Sequence, residues 1–429
     1  MKTLIVLSAD ALVEEDMENL SAMPNFRKYL AGGCGVKKIR SVYPTITYPC
    51  HTTMITGVYP DKHRICGNLE FHPGQTENLP WLWDRSHNKW QQDLFTEAKK
   101  RGYHTASVFW PVTGNHPAID DLIDEYWVQS SDDTPEAAFA RMGSDQRMIE
   151  IIMKNAGNTK RFLHPKLDQF IVDCACDILR QYKPDILFLH PADVDWARHQ
   201  YGVFNDQVLR TIENTDRYIG MLMEAAKEAG RGEINFVLTS DHGQRNISKV
   251  VNPNVYLQEK GLIRLDLNGK MKEWDAWCLS GGMSANIYLK NPDQKEQIKN
   301  IYHCLQELKE QKDSGIERIF TKEEVKEQEH LEGDFSFILE AKEGYSFGDK
   351  VDPPYETKLE PTDYRYGRAT HGYLPQKGPQ PTFWAKGPDF RENVILEEGN
   401  LVDEAPTLAA LLGIDLPGTD GRVMRELLR

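Results

Sequence analysis

No stretch of this chain approaches the roughly 20 consecutive apolar residues that a membrane-spanning helix needs. Basic excess is missing as well. The 429 residues carry 51 Lys+Arg against 65 Asp+Glu, a formal net charge of −14. That balance argues against a nucleic-acid polymer as partner, because polymer binders show a basic patch or surplus. A small phosphate ester stays admissible, since bound metal ions reverse the sign of a local site. Cysteine is sparse and unpatterned. The seven residues at 34, 50, 66, 174, 176, 278 and 304 are odd in number and lack zinc-finger spacing. Cys174 and Cys176 read as helix packing rather than as metal ligands. The apolar run in MKTLIVLSAD is too short for a signal peptide, and no small-residue cleavage site follows it. It is read as the first buried strand. Together these absences predict reduced thiols, a cytoplasmic location and no membrane partner. There is no internal repeat and no low-complexity segment. The sequence leaves the oligomeric state open.

What is present is ordinary for a globular enzyme: 40% hydrophobic and 27% charged residues. Apolar, β-branched runs at 3–10, 105–110, 185–193, 234–241 and 382–388 read as buried parallel strands. Amphipathic segments such as 216–230, closing on Gly230, lie between them. The alternation predicts an α/β fold with a mostly parallel central sheet and helices on both faces. Residues 261–365 differ in pattern. A strand at 284–290, a helix at 292–308, a charged stretch at 322–334 and a strand at 335–342 suggest a small α+β insertion. Residues 1–260 and 366–429 then form the core, closed by a last helix at 405–413.

In open α/β sheets, ligands bind beyond the carboxyl ends of the strands. Asp10 ends the first predicted strand. Asp195 and His199 follow the strand near 185–190, four residues apart. Asp241 and His242 end the strand at 234–239, and His371 precedes the strand at 382–388. Asp193 competes with Asp195, and Asp195 is preferred. Three aspartates brought together would raise one another's pKa unless cations compensate. Six Asp and His side chains are too many for one tetrahedral ion with an open position. They suit two divalent ions about 4 Å apart. The donor set favours zinc, with manganese or iron as alternatives.

Thr47 lies in SVYPTITYPCHTT (41–53), with Pro49 suited to a first helical turn and Gly57 to a helix end. A helix N-terminus there would favour a phosphate. A plain helix cap would look the same locally, and only the nearby ligands separate the two. The stretch PTITYPCHTTMITGVYPDKHRICGN (44–68) resembles the nucleophile segment of the nucleotide pyrophosphatase/phosphodiesterase family, within the alkaline phosphatase superfamily. FWP (109–111), D-x-x-x-H (195–199), SDHG (240–243), THGY (370–373), KGPDF (386–390) and LAALLGIDLPGTDG (408–421) fit in the same order.

The resemblance implies an alkaline phosphatase-like fold and a set of roles. Thr47 is the expected nucleophile, sharing one metal with Asp10, Asp241 and His242. Asp195, His199 and His371 hold the second metal. Asn68, assisted by the Tyr48 N–H, donates to a phosphoryl oxygen. Tyr48 can stack on a substrate base, and Trp110, in the matching FWP segment, either offers aromatic surface to the substrate or packs in the core. Two in-line displacements through a phospho-threonine give net retention at phosphorus. The implied substrates are small phosphate esters, with nucleotide diesters or pyrophosphates first and a headgroup diester next. The chain also departs from the family pattern. Cys50 stands where Asn is usual, and Arg64 where Gly is usual. A sulfatase is excluded, because Cys50 is not followed by the x-P-x-R of a formylglycine site. The rivals are a phosphomonoesterase, with Arg64 or Lys62 supplying a cation, a phosphonoacetate-hydrolase-like enzyme, and a catalytically dead binding protein.

Overall fold

The structure, a computed structural model, describes residues 2–76, 78–129, 132–157, 159–360 and 367–429. The boundary expected between residues 365 and 366 lies outside the described residues.

An eight-stranded sheet forms the centre. Its strands are β1 (Thr3–Ser8), β2 (Cys34–Arg40), β3 (Thr105–Val108), β4 (Asp121–Ile123), β5 (Ile186–Leu189), β6 (Ile234–Thr239), β7 (Phe383–Lys386) and β8 (Val394–Asn400). Their spatial order is β8-β2-β7-β6-β1-β5-β3-β4. All neighbours run parallel except β7, which is antiparallel to both β2 and β6. The parallel direction expected for the 382–388 strand is therefore corrected. An apolar run carries no mark of its direction; the chain's return path sets it.

Both sheet faces are buried, and β1 shows how. Ile5 and Leu7 join an apolar layer with the helices Lys166–Gln181 and Asp206–Glu228. Leu4 and Val6 join a second layer with Thr47–Thr56 and Glu404–Leu411. The period of two in a strand splits one continuous apolar run between two cores. Cys174 and Cys176 lie buried in the Lys166–Gln181 helix, and all seven cysteines are free thiols.

Residues 276–341 build a separate four-stranded antiparallel sheet from Ala276–Ser280, Ser284–Leu289, Phe337–Ala341 and Ile316–Thr321, in that order. The helix Lys295–Lys309 covers it with Ile301, Leu305 and Leu308, and the sheet has its own apolar cluster around Trp277. Among the described residues, no helix is long and apolar enough to cross a membrane.

The central strand β1 lies between β5 and β6, while the chain goes from β1 to β2 on the far side of β6 and β7. That is a switch in winding direction, the place where carboxyl-end loops part to leave a crevice.

Candidate active site

Three adjacent strands deliver the acidic side chains. Asp10 lies just past β1, and Asp241 and His242 just past β6. Asp195 and His199 lie one turn apart on the helix Asp193–Tyr201 that follows β5. The β2 strand leads to the helix Thr47–Thr56, in which every residue is buried. Threonine is a modest helix former, because its hydroxyl competes for the backbone. Here that competition is absorbed, since Thr52 and Thr56 donate to the carbonyls of Tyr48 (2.8 Å) and Thr52 (2.7 Å). The helix stops at Gly57, whose φ of +69° suits a residue without Cβ.

Thr47 opens this helix, and its Oγ1 lies 3.2 Å from His242 Nε2. The same Nε2 lies 3.3 Å from Asp241 Oδ2 and 3.5 Å from Asp10 Oδ1. His242 Nδ1 faces the Gly243 carbonyl at 3.3 Å, so donation there leaves Nε2 as the free lone pair. His199 is arranged alike. Its Nδ1 donates to the Ala369 carbonyl (2.7 Å), and its Nε2 lies 3.3 Å from Asp195 Oδ2. His371 stacks on His242 at 4.2 Å and meets His199 edge-on at 5.3 Å. Thr45 holds that loop in place. Its hydroxyl accepts from Gly372 N–H (3.1 Å) and donates to the Tyr373 carbonyl (2.9 Å). Gly372 packs so tightly that a Cβ would lie 2.0 Å from the Gly281 oxygen.

The electrostatics are those of a site built for cations. Burial, then the charges of Asp241 and Asp195, push the Asp10 carboxyl well above its usual range. Burial also raises Asp195, but the imidazoles of His199, His371 and His242 outweigh it and hold that carboxyl below its usual range. Burial and then His242 keep His371 neutral, well below an ordinary imidazole. Asp10 Oδ1, Asp241 Oδ2 and His371 Nδ1 are buried without a hydrogen-bond partner. Such orphaned acceptors fit divalent cations, and the mixed carboxylate–imidazole donors fit zinc, manganese or iron.

The ligand atoms of Asp195, His199 and His371 lie within 4.8 Å of one another, so one expected set comes together whole. Asp10 and His242 group with Asp195, whereas Asp241 groups with His51 and His190. Asp193 points elsewhere, toward Asn214 Nδ2 (3.1 Å), and burial with the charge of Asp168 raises it to about 8.

A cleft of about 670 Å³ opens over Thr47, Asp10, Asp195, His199 and His371. Asn68 lines it, and its Oδ1 accepts the Tyr48 N–H at 2.9 Å. Tyr48 N–H therefore orients Asn68 rather than adding a second donor beside it. Two expected aromatic contacts are also corrected. Tyr48 is fully buried and covered edge-on by Trp81, which takes its place in the cleft wall. Trp110 is fully buried too. Its indole N–H donates to the His51 carbonyl (3.2 Å), and its ring packs on Phe188 in the core.

Sequence reasoning missed several neighbours of the cluster. His190 Nε2 lies 3.1 Å from Asp10 Oδ2, and His51 Nδ1 lies 3.5 Å from Asp241 Oδ2. Gln244 donates to the Asp195 carboxylate. His190 was findable, because it directly follows β5 as Asp10 and Asp241 follow their strands. The cleft residues Glu125 and Arg161 carry no such signal.

Residues 4–374 match the family model described as type I phosphodiesterase / nucleotide pyrophosphatase. The chain belongs to that family. Among curated members of the type I phosphodiesterase family, venom phosphodiesterase CdcPDE of Crotalus durissus collilineatus is 27% identical over 255 residues, 57% of this chain and 26% of that protein. Ectonucleotide pyrophosphatase/phosphodiesterase family member 1 of Homo sapiens is 24% identical over 241 residues, 55% of this chain and 23% of its own length. The chain thus spans about a quarter of these relatives. Human ectonucleotide pyrophosphatase/phosphodiesterase 5 shares the fold, with a TM-score of 0.70 at 19% identity and complete coverage of both chains. The murine form gives 0.67 at 20% identity, again with complete coverage.

Proposed function

We propose that this chain hydrolyses phosphodiester or pyrophosphate bonds in nucleotides or nucleotide-like small molecules, through a covalent intermediate on Thr47. The observation that carries the reading is Thr47 Oγ1 at a helix start, 3.2 Å from His242 and facing the Asp10–Asp195 cluster across one cleft. Asp10, Asp241, His242 and Thr47 would hold one divalent ion, and Asp195, His199 and His371 a second, zinc first. Bound ions would lower the pKa of the threonine hydroxyl and offset charge developing on the leaving oxygen.

The protein's own groups do the rest. The N-terminus of the Thr47–Thr56 helix orients the phosphoryl group, and Asn68 Nδ2 donates to a non-bridging oxygen. Thr47 Oγ1 forms the new bond to phosphorus as the ester oxygen leaves. Water then breaks the Thr47–phosphorus bond from the opposite side and restores the hydroxyl. Relatives support the substrate class. A murine ectonucleotide pyrophosphatase/phosphodiesterase 5, inactive through a threonine-to-alanine change, has been solved with AMP.

A phosphomonoesterase would need a free cation for the dianionic ester. Arg64 lines the cleft but pairs with Glu332 at 2.8 Å and Asp334 at 3.5 Å, and Lys62 pairs with Asp420. This arrangement removes Arg64 and Lys62 as the cation that a dianionic ester would need. We also propose that the insertion expected over residues 261–365, of which 261–360 are described, walls the cleft through its described part, since Leu279, Ser280, Asn286 and Tyr288 line it.

The test is steady-state kinetics on the zinc-loaded protein, comparing bis-p-nitrophenyl phosphate and thymidine 5′-p-nitrophenyl phosphate with p-nitrophenyl phosphate. Diesters should win by about 100-fold or more in kcat/KM, equivalent to about 2.7 kcal/mol. Thr47→Ala should abolish turnover and leave the metal content measured by atomic emission within reach of the unaltered protein. A monoester preference, or an active Thr47→Ala protein, would reject the reading.

A further inference from the structure

Beside the carboxylate–histidine cluster, the cleft is also lined by Trp81, Glu125, Trp127, Arg161, Phe162 and His164. Arg161 sits among rings there. Its guanidinium lies 4.8 Å from the Trp81 centroid, 5.3 Å from Trp83 and 4.5 Å from Phe162. Aromatic contacts hold a planar cation in place and leave its N–H edge to make directional bonds. Arg161 Nη2 is buried with no hydrogen-bond partner.

Three more buried polar atoms in this neighbourhood share that condition: Glu125 Oε2, the Tyr48 hydroxyl and Trp83 Nε1. They belong together. Tyr48 and Trp83 share one apolar cluster, and Glu125 lies within charge range of Arg161 and is the group nearest to bonding the Tyr48 hydroxyl, so the open valence is the Oε2 lone pair that Tyr48 leaves over. Yet Glu125 Oε2 and Arg161 Nη2 do not bond to each other. An acceptor and a donor left open on one cleft wall match a ligand that carries both complements on one flat edge.

We propose that Glu125 and Arg161 read the hydrogen-bonding edge of a nucleobase in the substrate, with guanine preferred. This rests on the nucleotide reading of the site given above. Guanine presents adjacent N1–H and N2–H donors to a carboxylate, and its O6 and N7 are the acceptors that arginine pairs with best. Adenine sets one amino donor between ring acceptors, so a carboxylate meets a lone pair beside its one good bond. The aromatic rings of the wall supply stacking surface for either base. Tyr48 follows Thr47 directly, and its hydroxyl neighbours Glu125, which ties this wall to the start of the Thr47–Thr56 helix. Trp81, by covering Tyr48, moves base recognition from the residue after the nucleophile to this wall.

The test is isothermal titration calorimetry of the zinc-loaded chain with 5′-GMP and with 5′-AMP. GMP should bind at least about tenfold tighter, the usual discrimination of one good bidentate contact. Glu125→Gln keeps the shape but replaces an acceptor with a donor, and Arg161→Gln removes the charged edge. Each should bring the GMP:AMP affinity ratio close to one. Thermal melts check that each variant folds, and either variant alone decides the matter if the other does not fold. Equal affinities in the unaltered protein, or a GMP preference that survives in a folded variant, would overturn the inference. Turnover of bis-p-nitrophenyl phosphate by the unaltered chain separates the two readings. Turnover with equal GMP and AMP affinities removes the base reading and leaves the diesterase. Absence of all diester turnover removes the diesterase, and the affinity ratio still decides the base reading.

Discussion

The Asn68 side-chain oxygen accepts the Tyr48 N–H at 2.9 Å, and this assigns the amide nitrogen as the donor on the cleft side. One hydrogen bond thus sets the orientation of the residue. Asn68→Ala should lower kcat on bis-p-nitrophenyl phosphate by on the order of 10²-fold, the effect of losing one preorganised oxyanion donor. A change below about twofold would remove Asn68 from the reaction. Thr45 works at the same scale but without touching the reacting atoms. Its hydroxyl joins the corner before Thr47 to the backbone of Gly372 and Tyr373, and so sets where His371 stands. The spacing of Thr45 and Thr47 was legible in the sequence. Their division of labour was not, because Thr45's partners lie more than 320 residues away.

At the scale of elements, the helix Leu94–Lys100 depends on a buried network at its start. Asp93 caps it, accepting from Thr96 N–H at 2.7 Å. The same carboxylate receives Arg85 at 2.9 Å and His116 at 3.1 Å. Burial raises the Asp93 carboxyl, but His116 and Arg85 outweigh it and hold it at about 2, below the ordinary 3.8. Because the folded-state pKa is depressed, this contribution to stability is complete above the ordinary value. It is lost as pH falls toward about 2. Asp93→Ala should cost about 3–5 kcal/mol in urea unfolding at neutral pH, because it strands Arg85. The gap to the unaltered protein should narrow in acid. A cost that stays constant down to pH about 2 would mean that the carboxylate's charge is not what stabilises the helix start. The helix Thr47–Thr56 makes a different point. Its threonine-rich sequence argues weakly for a helix, and burial on every side overrides that propensity.

At the scale of the whole molecule, the eight-stranded and four-stranded sheets both reach the cleft. Phe71 stacks on Tyr288 of the four-stranded sheet at 3.8 Å and an interplanar angle of 6°. Both line the cleft, so the packing of the four-stranded sheet shapes its wall. Trp277 is 1% exposed, inside the apolar cluster of the four-stranded sheet and outside the cleft lining. Trp277→Ala should cost about 3–5 kcal/mol by urea unfolding. Because the loss loosens a cleft wall rather than the threonine, KM for nucleotide diesters should rise by a larger factor than kcat falls. The reverse pattern would show the four-stranded sheet to be linked to the chemistry itself.

The sequence by itself determined the strands with two buried faces, the carboxylates and histidines at their ends, the threonine at a helix start and the family. Each is a local property, set by side-chain period, turn chemistry and order along the chain. Tertiary structure decided the antiparallel course of β7, the burial of Tyr48 and Trp110, the nearness of His51 and His190 to the cluster, and the meeting of Glu125 with Arg161. Those depend on which distant segments share space. An aromatic side chain reads the same in sequence whether it ends in a cleft wall or in the core beneath it, and only the packing of its neighbours distinguishes the two.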